Sequence, residues 1–201
     1  MGWYDFFSSF YDRSLEALYR DARQSALDAC NLQPGQRVLD LPTGTGQSLD
    51  LLAPAVSAQG SVVGVDGSQG MLARAQQRAS RNGWTQVTLV QRDVRELSAE
   101  GIGADFDCLH IFLGLSAFPE WERAFEKAWA LLRSGGRCVL VDVHADPLGF
   151  QGRMVNWVAR ADLRRRTWTE LERLGSEYQK RALPPKKDYG GELYLATAIK
   201  P

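Results

Sequence analysis

Histidine occurs only twice in the 201 residues and cysteine only three times. The cysteines, Cys30, Cys108 and Cys138, are odd in number and far apart, so neither a metal-binding spacing nor a disulfide framework can be read from them. Cys108 and Cys138 sit in apolar, strand-like runs, where small buried thiols are common, and a reducing cytoplasm is the expected setting. Net charge is missing too: 24 Lys and Arg balance 24 Asp and Glu, so nothing global argues for nucleic acid. No run approaches the ~20 apolar residues that span a bilayer. The opening MGWYDFFSSFYDRSLEALYR carries Asp5 early and lacks a basic start, so it is not expected to act as a signal peptide.

What is present is alternation. Short runs rich in Val, Leu and Ile, at Arg37–Leu41, Ser61–Asp66, Gln86–Gln91, Phe106–Leu113 and Arg137–Val143, lack period-two patterning, as strands covered on both faces do. Helix patterns lie between them. In SQGMLARAQQRASRNG, Ser68 is an N-cap candidate, Gly83 a stop, and Met71, Leu72, Ala75 and Ala79 form an inner stripe. PEWERAFEKAWALLRSGG places Pro119 in a first turn and Trp121, Ala124, Phe125, Ala128, Trp129 and Leu132 on one face, with Gly135 and Gly136 turning into the next strand. A helix is expected around Thr167–Leu174. The final stretch reads as a hairpin whose turn is marked by Pro184, Pro185, Asp188, Gly190 and Gly191. Strand–helix alternation implies a parallel α/β sheet, with ligands outside the carboxyl ends of its strands. That edge should hold Asp40–Gly46, Asp66, Asp93, Phe112–Ser116 and His144.

The stretch VLDLPTGTG, residues 38–46, joins an apolar strand to a loop with two glycines. Glycines admit close backbone approach, and the following helix N-terminus offers free N–H groups. A dinucleotide and a nucleoside with an amino-acid tail both use such a loop. The dinucleotide fingerprint G-x-G-x-x-G lacks its third glycine here, since Leu49 stands in that place. Asp66, twenty residues after Gly46, can accept ribose hydroxyls from either ligand. Asp40 separates them: at ~4 Å and an effective dielectric near 20, the sign of the ligand charge is worth on the order of 4 kcal/mol before desolvation. A diphosphate is repelled and an ammonium or sulfonium attracted. S-adenosylmethionine carries both cations.

These residues resemble class I S-adenosylmethionine-dependent methyltransferases, particularly the ubiquinone/menaquinone C-methyltransferase-like branch, from about Tyr11 to Val143 and again, weakly, at the hairpin. VLDLPTGTG resembles the first motif, VVGVDGSQGML the acid of the second strand and its helix, VQRDV the adenine motif, FDCLHIFLGLSAFPE the fourth strand and its exit, and LLRSGGRCVLVDVH the turn into strand five. The resemblance implies a Rossmann-like sheet, mostly parallel with a C-terminal antiparallel hairpin and helices on both faces. It also implies S-adenosyl-L-methionine as cofactor and in-line methyl transfer. Asp40 and the backbone of Thr43, Gly44, Thr45 and Gly46 would hold the methionine part. Asp66 would take the ribose, Met71 and Val94 would flank the adenine, and Asp93 would accept from its amino group. Phe112 occupies the contact position of strand four, and Tyr11 resembles an N-terminal tyrosine that helps close the site. Pro42 departs from the motif, replacing a glycine and removing an N–H.

Plainer readings stand beside these. Asp40 can cap a turn, Asp93 can cap a short following helix, and Met71 and Tyr11 can be core residues. His110, inside strand four, reads as a satisfied structural group. His144, at the crevice edge, is the candidate general base. The same cofactor can instead donate its aminocarboxypropyl group, and a nicotinamide-dependent oxidoreductase would also fit the sheet.

The neutral total hides one uneven stretch. Residues 151–187 hold ten Lys or Arg against four Asp or Glu, a net +6, leaving −6 elsewhere. Within it, Phe150, Met154, Trp157, Val158 and Ala161 fall on one helical face, with Arg153, Arg160 and Arg164 off it. Residues 150–166 are therefore expected to pack as a helix with a solvated face, to cover a small-molecule or lipid-like acceptor, or to touch anionic membrane. The expected division is an N-terminal helical lid (1–33), a cofactor-binding core (34–144), an acceptor-side insertion (145–175) and the hairpin (176–201).

Overall fold

The structure, a computed structural model, describes residues 18–150, 152–153, 156, 161–184 and 191–201. Seven strands form one sheet: β1 Arg37–Asp40, β2 Ser61–Asp66, β3 Val87–Gln91, β4 Phe106–Phe112, β5 Leu132–His144, β6 Ser176–Ala182 and β7 Glu192–Ile199. Their order across the sheet is β3-β2-β1-β4-β5-β7-β6. The first five run parallel, and β7 is antiparallel to both of its neighbours. This is the Rossmann-like sheet with a C-terminal antiparallel pair that the alternation pattern and the resemblance implied.

The apolar runs lack alternation because both faces are covered. Leu39, Val63, Val65, Leu109, Ile111, Cys138 and Leu140 point into one core, beneath α4 (Trp121–Ala130) and the short helix Thr169–Leu174. Val38, Val62, Cys108, Val139 and Val141 point into the other. That second core lies beneath α1 (18–30), α2 (Leu49–Val56) and α3 (Gln69–Asn82). α1 contributes Tyr19, Ala22, Ala26 and Cys30, all buried, to this core. Ser68 caps α3, its Oγ accepting from the Met71 N–H at 3.2 Å, and Gly83 ends it in a left-handed conformation.

Three expectations shift. Pro119 lies ahead of α4, whose N-cap is Glu120. Leu132 belongs to β5, where it pairs with Phe106, so the strand begins before the two glycines. The helix ends early because the Lys200 ammonium takes its last carbonyls, donating to Trp129 at 2.9 Å and Ala130 at 3.3 Å. Finally, 150, 152–153 and 156 are helical, but 161–166 are not. Met154, Trp157, Val158 and Arg160, and the turn residues Pro185, Asp188 and Gly190, lie outside the described residues.

Phe125 is fully buried and stacks on Trp129, with centroids 5.7 Å apart. Phe125→Ala is expected to lower the unfolding free energy by about 3–5 kcal/mol in urea titrations, since the cavity cannot collapse between α4 and the sheet.

Candidate functional site

The strand order turns back between β1 and β4, and ligands of open α/β sheets sit at that crevice. Asp40 ends β1 in register with His110 of β4. Its carboxylate does not stand open at the loop mouth, as the charge argument expected. It is 1 % exposed, with Oδ1 2.7 Å from His110 Nδ1 and Oδ2 accepting from Thr43 Oγ1 at 2.7 Å. A buried carboxylate requires such partners, because desolvation without them costs several kcal/mol. His110, read as structural, is thus the partner of the first-motif acid.

The loop after Asp40 is held against β2. The Thr43 N–H donates to the Val65 carbonyl at 2.9 Å, and the Gly46 N–H to the Thr43 carbonyl at 2.9 Å. Pro42 packs over Gly114, where a Cβ would come within 2.3 Å of Pro42 Cγ, so the two loops can approach only with glycine there. Gly44 has φ +55° and nothing within 4 Å of where a Cβ would stand, which leaves an open cradle at the loop tip. Thr45 follows it, half-buried, before α2.

Asp66, at the end of β2, joins two loops. Its Oδ2 accepts from the Gly44 N–H at 2.9 Å and its Oδ1 from the Ser68 N–H at 2.8 Å. Burial pushes its pKa up, the two N–H groups pull it back, and the nearby Asp40 charge adds to the rise. Met71, in the first turn of α3, is half-buried.

A cavity of about 670 Å³ opens beside these loops, lined by Gly67 and residues 91–96 from the β2 and β3 exits and by Phe118 and Pro119 from the stretch after β4. Asp93 and Val94 both line it, and Val94 is otherwise buried in the core. Asp93 also caps the 3-10 turn Val94–Glu96, the plainer reading. The Arg95 guanidinium grips it, with contacts of 2.5–3.1 Å, and reaches on to Glu120 at 3.1 Å. These bonds hold the Asp93 carboxyl down at about 2.

Phe112 is covered by protein groups. Its ring stacks on His110, meets Tyr19 edge-on at 6.2 Å, and lies 4.9 Å beneath the Arg23 guanidinium. His144 stands on the opposite face of the sheet from Asp40 and Phe112, sharing the side of Asp142 and Trp168. Its Nδ1 lies 3.3 Å from the Arg165 carbonyl, and its ring meets Trp168 edge-on at 4.9 Å. A carbonyl only accepts, so Nδ1 is the donor in this contact. Tyr11 lies outside the described residues. The structure therefore brings together Asp40, Thr43, Gly44 and Asp66, sets Asp93 and Val94 at the adjoining cavity, and places His144 apart.

The profile of a family described as a methyltransferase domain matches residues 38–136. The sheet order agrees with that match, and residues 38–136 are thus similar to a methyltransferase domain. A 37.1 kDa protein of transposon TN4556 from Streptomyces fradiae is 34% identical over 129 residues, 64% of this chain and 36% of that protein. The demethylmenaquinone methyltransferase of Oceanobacillus iheyensis is 30% identical over 124 residues, 62% of this chain and 51% of that protein. The chain thus spans about half or less of the curated relatives it matches. Among solved structures, a SAM-dependent O-methyltransferase from Thermotoga maritima aligns with a TM-score of 0.64 at 19% identity, over 90% of this chain and 64% of the other.

Two groups escaped sequence reasoning. Arg95 stands two residues after Asp93, a spacing that suits a side chain returning to its own cap. Asp142 gave no signal. It is fully buried in β5 and accepts from the Ser116 N–H and Oγ at 2.9 Å each, the Val143 N–H at 2.9 Å and Thr167 Oγ1 at 3.4 Å. Tyr194 OH completes the chain through Thr167.

Arg95→Ala is expected to raise the Asp93 carboxyl from about 2 towards the ordinary value near ~4, short of it because the residue-95 N–H still donates, followed by carboxyl-carbon NMR. A carboxyl with a lowered folded pKa stabilises above its unfolded pKa and loses that contribution as pH falls through the folded one. The stability gap between wild type and variant should therefore shrink from pH ~4 towards ~2, and stay small throughout because the pair is solvent-screened.

Proposed function

We propose that the domain binds S-adenosyl-L-methionine and catalyses in-line methyl transfer to a small-molecule or lipid-like acceptor. The observation that carries this is the Asp66 carboxylate, which anchors the open Gly44 cradle to the loop that borders the cavity. The fit is good. About 670 Å³ suits a nucleoside-sized ligand. Asp66 spends one acceptor site per oxygen on backbone, leaving lone pairs for ribose hydroxyls. The buried Asp40 keeps negative charge beneath the loop, which favours a cationic amino-acid tail over a diphosphate.

When bound, S-adenosylmethionine supplies a methyl group activated on a sulfonium. The chain aligns and encloses. Asp40 acts through Thr43 on the loop that would hold the methionine part, with Thr45 and Gly46 completing it. Met71, Asp93 and Val94 would border the adenine, and Phe112 closes the strand-four side with apolar surface. Residues 1–33, including Tyr11, would cover the site from the base that α1 provides. Alignment and exclusion of water supply much of the rate in such a transfer. His144, the candidate base, stands on the other face of the sheet from Asp40 and Phe112, so the transfer is proposed to rest on alignment and not on that imidazole.

The names of the relatives favour a quinone-type, lipid-like acceptor, with residues 145–175 on the acceptor side. Phe150 is 79% exposed there, which suits a greasy acceptor or a membrane surface. Arg164 and Arg165 contribute less to such a surface than their charge implied, since Arg164 pairs with Asp162 and Arg165 turns inward. Zero net charge argues against nucleic acid, and a cytoplasmic setting fits the free thiols. Among the described residues no helix is long and apolar enough to cross a membrane. The aminocarboxypropyl and nicotinamide alternatives gain no support from the relatives.

Calorimetry should show uptake of S-adenosylmethionine and none of NAD. Gly44→Ala should weaken that uptake about tenfold, because a Cβ is disfavoured at positive φ and would occupy the cradle. Labelled cofactor incubated with cell extract should yield a product heavier by one methyl group. Tight binding of NAD alone would overturn the reading.

A further inference from the structure

Phe118 and Pro119 border the cavity, yet the bonds that fix them come from elsewhere in the chain. The Arg165 guanidinium donates through Nη1 to the Ser116 carbonyl at 2.9 Å and to the Phe118 carbonyl. The Asp162 N–H reaches the same Ser116 carbonyl at 3.0 Å, and Asp142 takes the Ser116 N–H. Arg165 also presents its own carbonyl to His144 Nδ1. One residue of the segment after β5 thus holds a wall of the cavity with its side chain and the ring of His144 with its backbone.

We propose that Arg165 is a positioning residue that couples the cofactor pocket to the acceptor side of the domain. It acts through Phe118, whose carbonyl it fixes and which lines the pocket. One charged nitrogen, Nη1, serves both carbonyls, so this end of the Arg165 guanidinium is spent on backbone. Any shift of residues 161–168 on the acceptor side is carried by this arm to Phe118. The inference rests on the methyl-transfer reading, because it takes the cavity to be the nucleoside end of the cofactor site.

The test is calorimetric titration of the full chain with S-adenosylhomocysteine. Arg165→Ala should raise Kd about tenfold, the worth of a charged hydrogen bond to a carbonyl. Arg165→Lys should restore most of the affinity, and it also serves if the alanine variant fails to fold. Arg164→Ala, at an exposed neighbour, should bind as wild type. In a Phe118→Ala background, Arg165→Ala should add less than about threefold, the non-additivity expected of a residue acting through another. Near-ultraviolet circular dichroism of the ligand-free variants separates this from general loss of packing. Wild-type affinity in Arg165→Ala, or equal weakening with and without the Phe118 ring, would overturn the coupling alone. Failure of wild type to bind S-adenosylhomocysteine would overturn the methyl-transfer reading and the coupling together.

Discussion

A hydrogen-bonded acid–imidazole contact across two neighbouring strands holds the working edge of this domain together. Asp40 and His110 sit opposite one another on β1 and β4, where the strand order changes direction, and their side chains meet at 2.7 Å with almost no solvent. Everything above depends on that contact. Thr43 bonds the second carboxylate oxygen, the loop that follows is thereby seated on β2, and Asp66 fastens the tip of that loop to the entry of α3. A carboxylate placed there without His110 and Thr43 would be expelled towards water, and the loop would leave with it.

Burial is the main cause of the raised Asp66 pKa, and repulsion from the nearby Asp40 adds a smaller part. The domain tolerates this through backbone N–H groups at Asp66 and side-chain donors at Asp40, so neither carboxylate needs a cation to exist. A cationic ligand would then relieve repulsion as well as add attraction, giving selectivity for charge sign without a direct ion pair.

The sheet was legible because parallel strands must be apolar on both faces, and runs such as Ser61–Asp66 record that plainly. Ser68 and Gly83 marked α3 because capping is local chemistry, readable within a few residues. Leu132 was misplaced because it continues the helical stripe of α4, whereas Phe106 and Lys200 decide its conformation from far along the chain. The site residues divide in the same way. Asp40, Asp66 and Asp93 follow strands and announce themselves by position. Their partners His110, Gly44 and Arg95 required knowing which loops touch. Arg165 was the hardest to read. It lies in a basic stretch with no signal of its own, yet its Nη1 donates to carbonyls 47 and 49 residues away.

The C-terminal strand has a different kind of consequence. β7 lies between β5 and β6, and among the described residues the edge strand β6 pairs with β7 alone. During synthesis β5 emerges with its outer edge bare, and β6 emerges with no partner at all. Both must wait for residues 192–199 before the sheet can close, so a nascent chain halted earlier exposes a long unpaired ladder along β5.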